Sequence, residues 1–154
     1  MSETPEQRSR TMRAVRSRDT GPEMVVRRFL HAAGLRFRLH DRRLPGVPDL
    51  VFPSRRVALF VHGCFWHQHP SCAAADRPRS HVDYWTRKLD GNMARDERHR
   101  ANLKAAGWKV LVIWECETRD RSALLRLTKK IKRIQLDTVF KQPRPRRIAQ
   151  PGHS

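Results

Sequence analysis

Residues 49–62 read DLVFPSRRVALFVH. Two short apolar runs, 49–52 and 57–62, flank the turn-forming tetrad Pro53-Ser-Arg-Arg56, and this pattern predicts a β-hairpin. With 53–56 as the turn, paired positions sum to about 109, so Asp49 lies across from Phe60, beside Val61 and His62. Upstream, Leu35-Arg-Phe-Arg-Leu39 alternates with period two and predicts a half-buried strand. Before it, Thr20-Gly-Pro-Glu23 opens a helix. Thr20 is the cap, Glu23 completes a capping box and Pro22 sits in the first turn. Val25, Val26, Phe29, Leu30 and Ala33 form its apolar stripe, and Gly34 stops it.

Downstream of the hairpin, residues 63–80 show no periodicity and predict a loop that something must hold in place. Residues 81–106 predict a helix, with Trp85, Leu89 and Met93 stacked on one face and Leu103 further along. Gly91 is a candidate interruption and Gly107 the end. Trp108-Lys-Val-Leu-Val-Ile-Trp114 predicts a strand, and Leu124, Leu127, Ile131 and Ile134 mark a last helix. The order helix, three strands, helix, strand, helix predicts an α/β fold, a mixed β-sheet flanked by helices. It holds too few βα repeats for a doubly wound nucleotide fold, and no glycine-rich phosphate loop is present. We expect one domain over residues 19–140. A basic N-terminal arm, 1–18, carries arginines at 8, 10, 13, 16 and 18, and a basic tail, 141–154, is expected to be disordered.

The chain has 154 residues and a formal net charge of +18. Such a field points to a polyanionic partner, since neutralising phosphates is its usual use. No apolar stretch approaches the ~20 residues a bilayer needs, and the polar start MSETPEQRSR does not read as a secretory signal. Three cysteines suit reduced thiols or metal ligands better than a disulfide scaffold. We therefore expect a cytoplasmic protein with no membrane partner.

Four groups of residues carry chemistry. Cys64-x4-His69-x2-Cys72, joined by Cys116, offers three thiolates and one imidazole, a closed tetrahedral set of the structural zinc kind. The plainer reading makes Cys116 a small core residue and the other two free loop thiols. Asp49 beside the Val61 carbonyl offers oxygens to Mg²⁺, although an aspartate after a proline is also an ordinary turn residue. His62 and His67 remain once His69 is assigned to the thiols, and histidine suits proton transfer near neutral pH. Phe65, Trp66 and Trp85 are either core or, in so basic a chain, rings that stack on bases or wedge between them. Glu23 either caps its helix or orients a histidine or a metal-bound water.

The segment Phe60-Val-His-Gly-Cys-Phe-Trp-His67 resembles the signature of the very-short-patch-repair (Vsr) DNA mismatch endonucleases. So do residues 12–20, Leu44-Pro-Gly-Val-Pro-Asp49 and residues 107–116; the resemblance runs from about Met12 to the end of the last helix. It implies a variant of the PD-(D/E)xK restriction-endonuclease-like fold with a structural zinc. It further implies a Mg²⁺-dependent enzyme that nicks DNA 5′ of the thymine in T·G mismatches left by deamination of 5-methylcytosine. Under it, Asp49 matches the metal-binding aspartate and Val61 the residue whose carbonyl completes that seat. His62 and His67 match the active-site histidines, with His67 the candidate for water activation, and Glu23 an acidic residue of the active site. Cys64, His69, Cys72 and Cys116 match the zinc ligands, and Phe65, Trp66 and Trp85 the rings that wedge into DNA. The chain departs from the common nuclease pattern at Phe60 and His62, where an acidic residue and a lysine are usual; that change is the family's own variant. It departs from family members at Val61, where threonine is known, and at the Pro70-Ser71 spacing. Double-stranded DNA with a T·G mismatch is the expected partner, of a monomer, with other repair proteins as further partners. The competing readings are a restriction-type endonuclease cutting unmodified sites and a zinc-stabilised nucleic-acid-binding module without hydrolysis.

Overall fold

The computed structural model of the chain describes residues 4–5 and 20–139, with side chains as far as Ile134. Thr4 and Pro5 apart, the expected arm over 1–18 and the expected tail over 141–154 lie outside the described residues. The elements run α1 (Gly21–Ala32), β1 (Arg38–Leu39), β2 (Leu50–Phe52), β3 (Val57–His62), α2 (Val82–Ala105), β4 (Lys109–Trp114) and α3 (Arg121–Val139). Short 3₁₀ turns occupy Pro53–Arg55, Ala73–Ala75 and Glu115–Arg119. Among the described residues no helix is long and apolar enough to cross a membrane.

Four strands form one sheet in the order β1-β2-β3-β4. The hairpin has the expected register: Leu50, Val51 and Phe52 face Leu59, Ala58 and Val57. β3 and β4 pair in parallel from Val57↔Lys109 to His62↔Trp114, with α2 as the crossover that parallel strands require. On one face α1 and α3 bury Val26, Leu30, Leu124, Leu127, Ile131 and Ile134 against the strands. On the other face the end of α2 packs Leu103 against Ala58 and Phe60.

Both long helices that precede a strand end alike. Gly34 and Gly107 take φ of +90° and +89°, a backbone a side chain disfavours. The next residue's N–H then reaches back to the last turn, Leu35 to the Leu30 carbonyl at 3.1 Å and Trp108 to that of Leu103 at 3.0 Å. This closure shortens the first strand: Leu35 is buried but held by the helix, and pairing is confined to Arg38–Leu39.

Three expectations on helix faces are corrected. Val25 is exposed, and the buried positions of α1 are Glu23, Val26 and Leu30, so the inward face begins with the carboxylate read as a cap. Gly91 does not interrupt α2, because the helix is open to solvent around it. Met93 does not continue the Trp85–Leu89 stack; it is 44% exposed, since the loop those residues pack against ends before it.

Ile131→Ala should cost ~2–5 kcal/mol, as for a fully buried side chain whose cavity does not collapse, whereas Met93→Ala should stay within about 0.5 kcal/mol. Denaturant unfolding of the two variants checks both.

Candidate active site and metal centre

The parallel strands β3 and β4 end at the same level, and the candidate residues collect there. Asp49 stands at the start of β2, and its Oδ2 accepts the Val61 N–H at 2.7 Å. This bond holds the Asp49 carboxylate beside Val61, whose carbonyl is the other oxygen expected in the cation seat. Glu23 comes from the first turn of α1 and is only 3% exposed. Thr20 Oγ1 accepts the Glu23 N–H at 3.4 Å as a cap, but the Glu23 carboxylate turns inward rather than back to the cap. Its Oε1 meets His40 Nε2 at 2.8 Å and its Oε2 accepts from Arg27 at 3.2 Å. His40 also donates its backbone N–H to the Asp49 carbonyl at 3.1 Å, from a left-handed φ of 46°. Ligand atoms of Glu23, His40 and Asp49 lie within 4.8 Å of one another. Burial pushes the Asp49 carboxyl up to about 7; the Val61 N–H opposes this, and the neighbouring Glu23 adds to it.

Facing this group is a second one. His62 closes β3 and is 6% exposed. Its ring stacks on that of His67, with centroids 3.8 Å apart and planes 6° from parallel. His67 Nδ1 lies 2.6 Å from Asp96 Oδ2 on α2. Burial works against the charge of Asp96. The His67 hydrogen bond, then the charges of His67, His62 and Arg100, outweigh it and hold the carboxyl below its ordinary value. With the Nδ1 proton directed at Asp96, His67 Nε2 is the ring nitrogen that keeps a lone pair.

Both groups line one cleft of about 650 Å³, with Trp66 and the first turn of α1 on its wall and His99 and Arg100 at its side. Gly46 closes that side. At φ +74° it brings the 44–48 loop against α2, where a Cβ would stand 2.9 Å from His99.

Below the strand ends, Cys64, His69, Cys72 and Cys116 place their ligand atoms within 4.8 Å of one another. His69 Nδ1 is 3.7 Å from Cys64 Sγ and 3.4 Å from Cys116 Sγ. A tetrahedral zinc with bonds of ~2.3 Å to sulfur and ~2.0 Å to nitrogen has S···N edges of about 3.6 Å. The donor set therefore fits that ion in chemistry and spacing, and all four positions are filled by protein. Burial, with Cys116 and Cys72 close by, pushes the Cys64 thiol up to about 11. A bound cation must reverse this, because only thiolate binds metal. The His69 ring stacks on Trp114 at 4.4 Å.

Phe65, Trp66 and Trp85 meet one another with ring centroids 5.0–6.0 Å apart. Trp66 and Trp85 are buried with Leu89 as a small separate core, as the packing reading expects, and Phe65 is half-buried. Sequence reasoning missed two residues of the site: Asp96, which lines the cleft, and His40, which holds Glu23. Asp96 lies within Arg95-Asp-Glu-Arg-His-Arg100, where one carboxylate among many charges carries no distinguishing signal.

The family model described as DNA mismatch endonuclease Vsr matches residues 2–74. The chain is 54% identical over 121 residues to the type II nicking enzyme V.XorIIP of Xanthomonas oryzae pv. oryzae, covering 79% of this chain and 88% of that one. It is 40% identical over 133 residues to V.NmeAIP, a type II nicking enzyme of Neisseria meningitidis serogroup A, covering 84% and 94%. It is 42% identical over 117 residues to the DNA mismatch endonuclease Vsr of Escherichia coli, covering 76% and 74%.

Two outcomes follow from this geometry. Protein isolated without added metal should contain one zinc, and Cys116→Ala should lose it together with much of its thermal stability, as metal analysis and melting would show. The raised Asp49 carboxyl makes a stability contribution that is complete below about pH 4 and lost as pH rises through about 7. The zinc-loaded protein without Mg²⁺ should therefore lose stability relative to Asp49→Asn between pH 5 and 8, and Mg²⁺ should restore it at pH 8 but not at pH 5.

Proposed function

The chain belongs to the Vsr family of DNA mismatch endonucleases, and we propose that it nicks one strand of duplex DNA 5′ of the thymine in a T·G mismatch. The observation that carries the reading is the juxtaposition, in one cleft, of an acidic cation seat and a histidine oriented by a carboxylate. A zinc-stabilised binding module without hydrolysis has no use for that pairing.

Asp49, with Glu23 behind it, would hold Mg²⁺. When bound, that ion supplies Lewis-acid stabilisation of the phosphate and of the leaving oxyanion. Asp49 enters this role ionised, so its proton must leave on loading. The half-raised carboxyl makes that loss inexpensive near neutral pH. His67 Nε2 takes the proton of the attacking water as the water oxygen bonds to phosphorus and the P–O bond to the leaving group breaks. Asp96 holds the His67 ring in the tautomer this requires and stabilises the imidazolium that forms. His62, stacked beneath, fixes the plane of that ring.

The zinc set would be structural, tying the loop after β3 to the turn after β4. Mismatch recognition falls to the aromatic cluster at the cleft margin. Phe65 would meet the duplex first, with Trp66 and Trp85 following if the loop opens, because a T·G step costs less to unstack than a matched one. The fold is read as a PD-(D/E)xK variant in which Phe60 and His62 stand where an acidic residue and a lysine are usual. A restriction-type cleavage of matched sites is the competing reading, because the relatives V.XorIIP and V.NmeAIP are named type II nicking enzymes.

Single-turnover nicking of one labelled duplex, matched or T·G, with Mg²⁺ or EDTA separates these readings. Nicking should require both the mismatch and the cation. Asp49→Ala should abolish it while mismatch binding persists, since binding rests on many cationic contacts. His67→Ala should slow it ~10²–10⁴-fold with metal binding intact, and Asp96→Asn should slow it less. Near-parental nicking by Asp49→Ala would remove this mechanism.

A further inference from the structure

We propose that the open edge of β4 is a docking groove for an acidic, extended segment of a partner protein, which adds to the sheet as a fifth strand. Among the described residues β4 pairs only with β3. Lys109 N–H donates to the Arg56 carbonyl, so in the parallel ladder Lys109, Leu111 and Ile113 direct their backbone groups at β3. Val110, Val112 and Trp114 direct theirs outward. The Trp114 N–H is taken by Glu117 Oε1 at 3.1 Å. Those of Val110 and Val112 have no partner among the described residues.

The Val110 end of this edge is the floor of a groove of about 800 Å³ that shares no lining residue with the catalytic cleft, and Val112 follows it along the strand. Trp108, Val110, Leu111 and Ile134 give it an apolar base. Lys104, Lys109, Arg126, Lys129, Lys130 and Arg133 surround that base, and no carboxylate lines it. Arg126 reaches Asp120 at 4.0 Å; among the described residues the other five cations have no ion-pair partner. Arg126, Lys129, Lys130 and Arg133 share one side of α3, at the spacing of successive turns. That side faces the same groove as Val110 and Leu111 of β4.

Charge selects the occupant. A second copy of the chain would bring the same cations against these, so the groove excludes self-pairing, as lysines on sheet edges commonly do. The tail over 141–154 has four cations, no carboxylate and prolines at 143, 145 and 151, so it suits neither the charge nor the ladder. The arm over 1–18 is also net positive. Duplex DNA matches the charge but has no use for an apolar floor or for two outward amides. An extended peptide with alternating acidic and apolar residues uses all three: carboxylates to the rim, apolar side chains to the floor and backbone to Val110 and Val112.

The test titrates the full chain with an acetylated peptide of alternating glutamate and valine, followed by heteronuclear NMR. Binding should slow hydrogen exchange at the Val110 and Val112 amides. Lys109→Glu combined with Lys130→Glu should weaken it about tenfold or more. Val110→Pro removes an outward N–H that an edge strand can spare, and should abolish it; the charge-reversed protein keeps the test decisive if that variant does not fold. The proposal is overturned if the peptide does not bind, if it binds without protecting those two amides, or if the charge reversal leaves its affinity unchanged. It is also overturned if a short matched duplex takes the groove in the peptide's place, which would assign the cations to phosphate.

Discussion

Six parallel pairs between β3 and β4 fix the position of nearly everything else. Because the strands run the same way, the residues that follow them emerge side by side: Cys64 after β3, Cys116 after β4. The N–H of Cys116 lies 3.4 Å from Cys64 Sγ. The same crossing forces α2 over the sheet, and that is how Asp96 comes to meet His67. An antiparallel β4 would send its following turn, and Cys116 with it, to the far end of the sheet, away from His62 and His67.

At the strand ends the fold accepts an electrostatic cost. Glu23 occupies a core position of α1 that an apolar residue would fill more cheaply, and it is kept there by His40 and Arg27. Burial beside it, with Glu23 adding to the effect, raises the Asp49 carboxyl to about 7. Two carboxylates crowded in a poorly solvated place are a strain on the empty protein and an attraction for a cation. Stability and function thus pull on the same two residues in opposite directions. The four-ligand thiol–imidazole set, by contrast, leaves no open position.

The sequence made the hairpin legible to the exact register, because 53–56 is a short turn between runs of clear period and every pairing is local. The helices after Thr20 and before Gly107 were legible for the same reason. What remained hidden depends on long-range packing. Met93 and Val25 keep the helical spacing, but no wall faces them. Glu23 reads locally as a cap, and its inward turn shows only once His40 arrives just after β1. Asp96 was invisible among its charged neighbours, and the burial of Trp66 and Trp85 depends on how the irregular 63–80 loop folds. The thiol–imidazole set could be seen because it exhausts the chain's cysteines; its closing member, Cys116, needed no contact map.

The crossover that places α2 also sets an order in time. β2 and β3 are four residues apart and can pair as soon as both exist, whereas Val57 waits for Lys109, 52 residues later. At 5–20 residues per second, synthesis leaves β3 without its second neighbour for roughly 3–10 s. β3 is buried at five of its six positions, so during that interval its open side is a surface exposed to mispairing. Early capture of a metal by Cys64, His69 and Cys72, before Cys116 is made, would compact the intervening loop and shorten the search that brings β4 home.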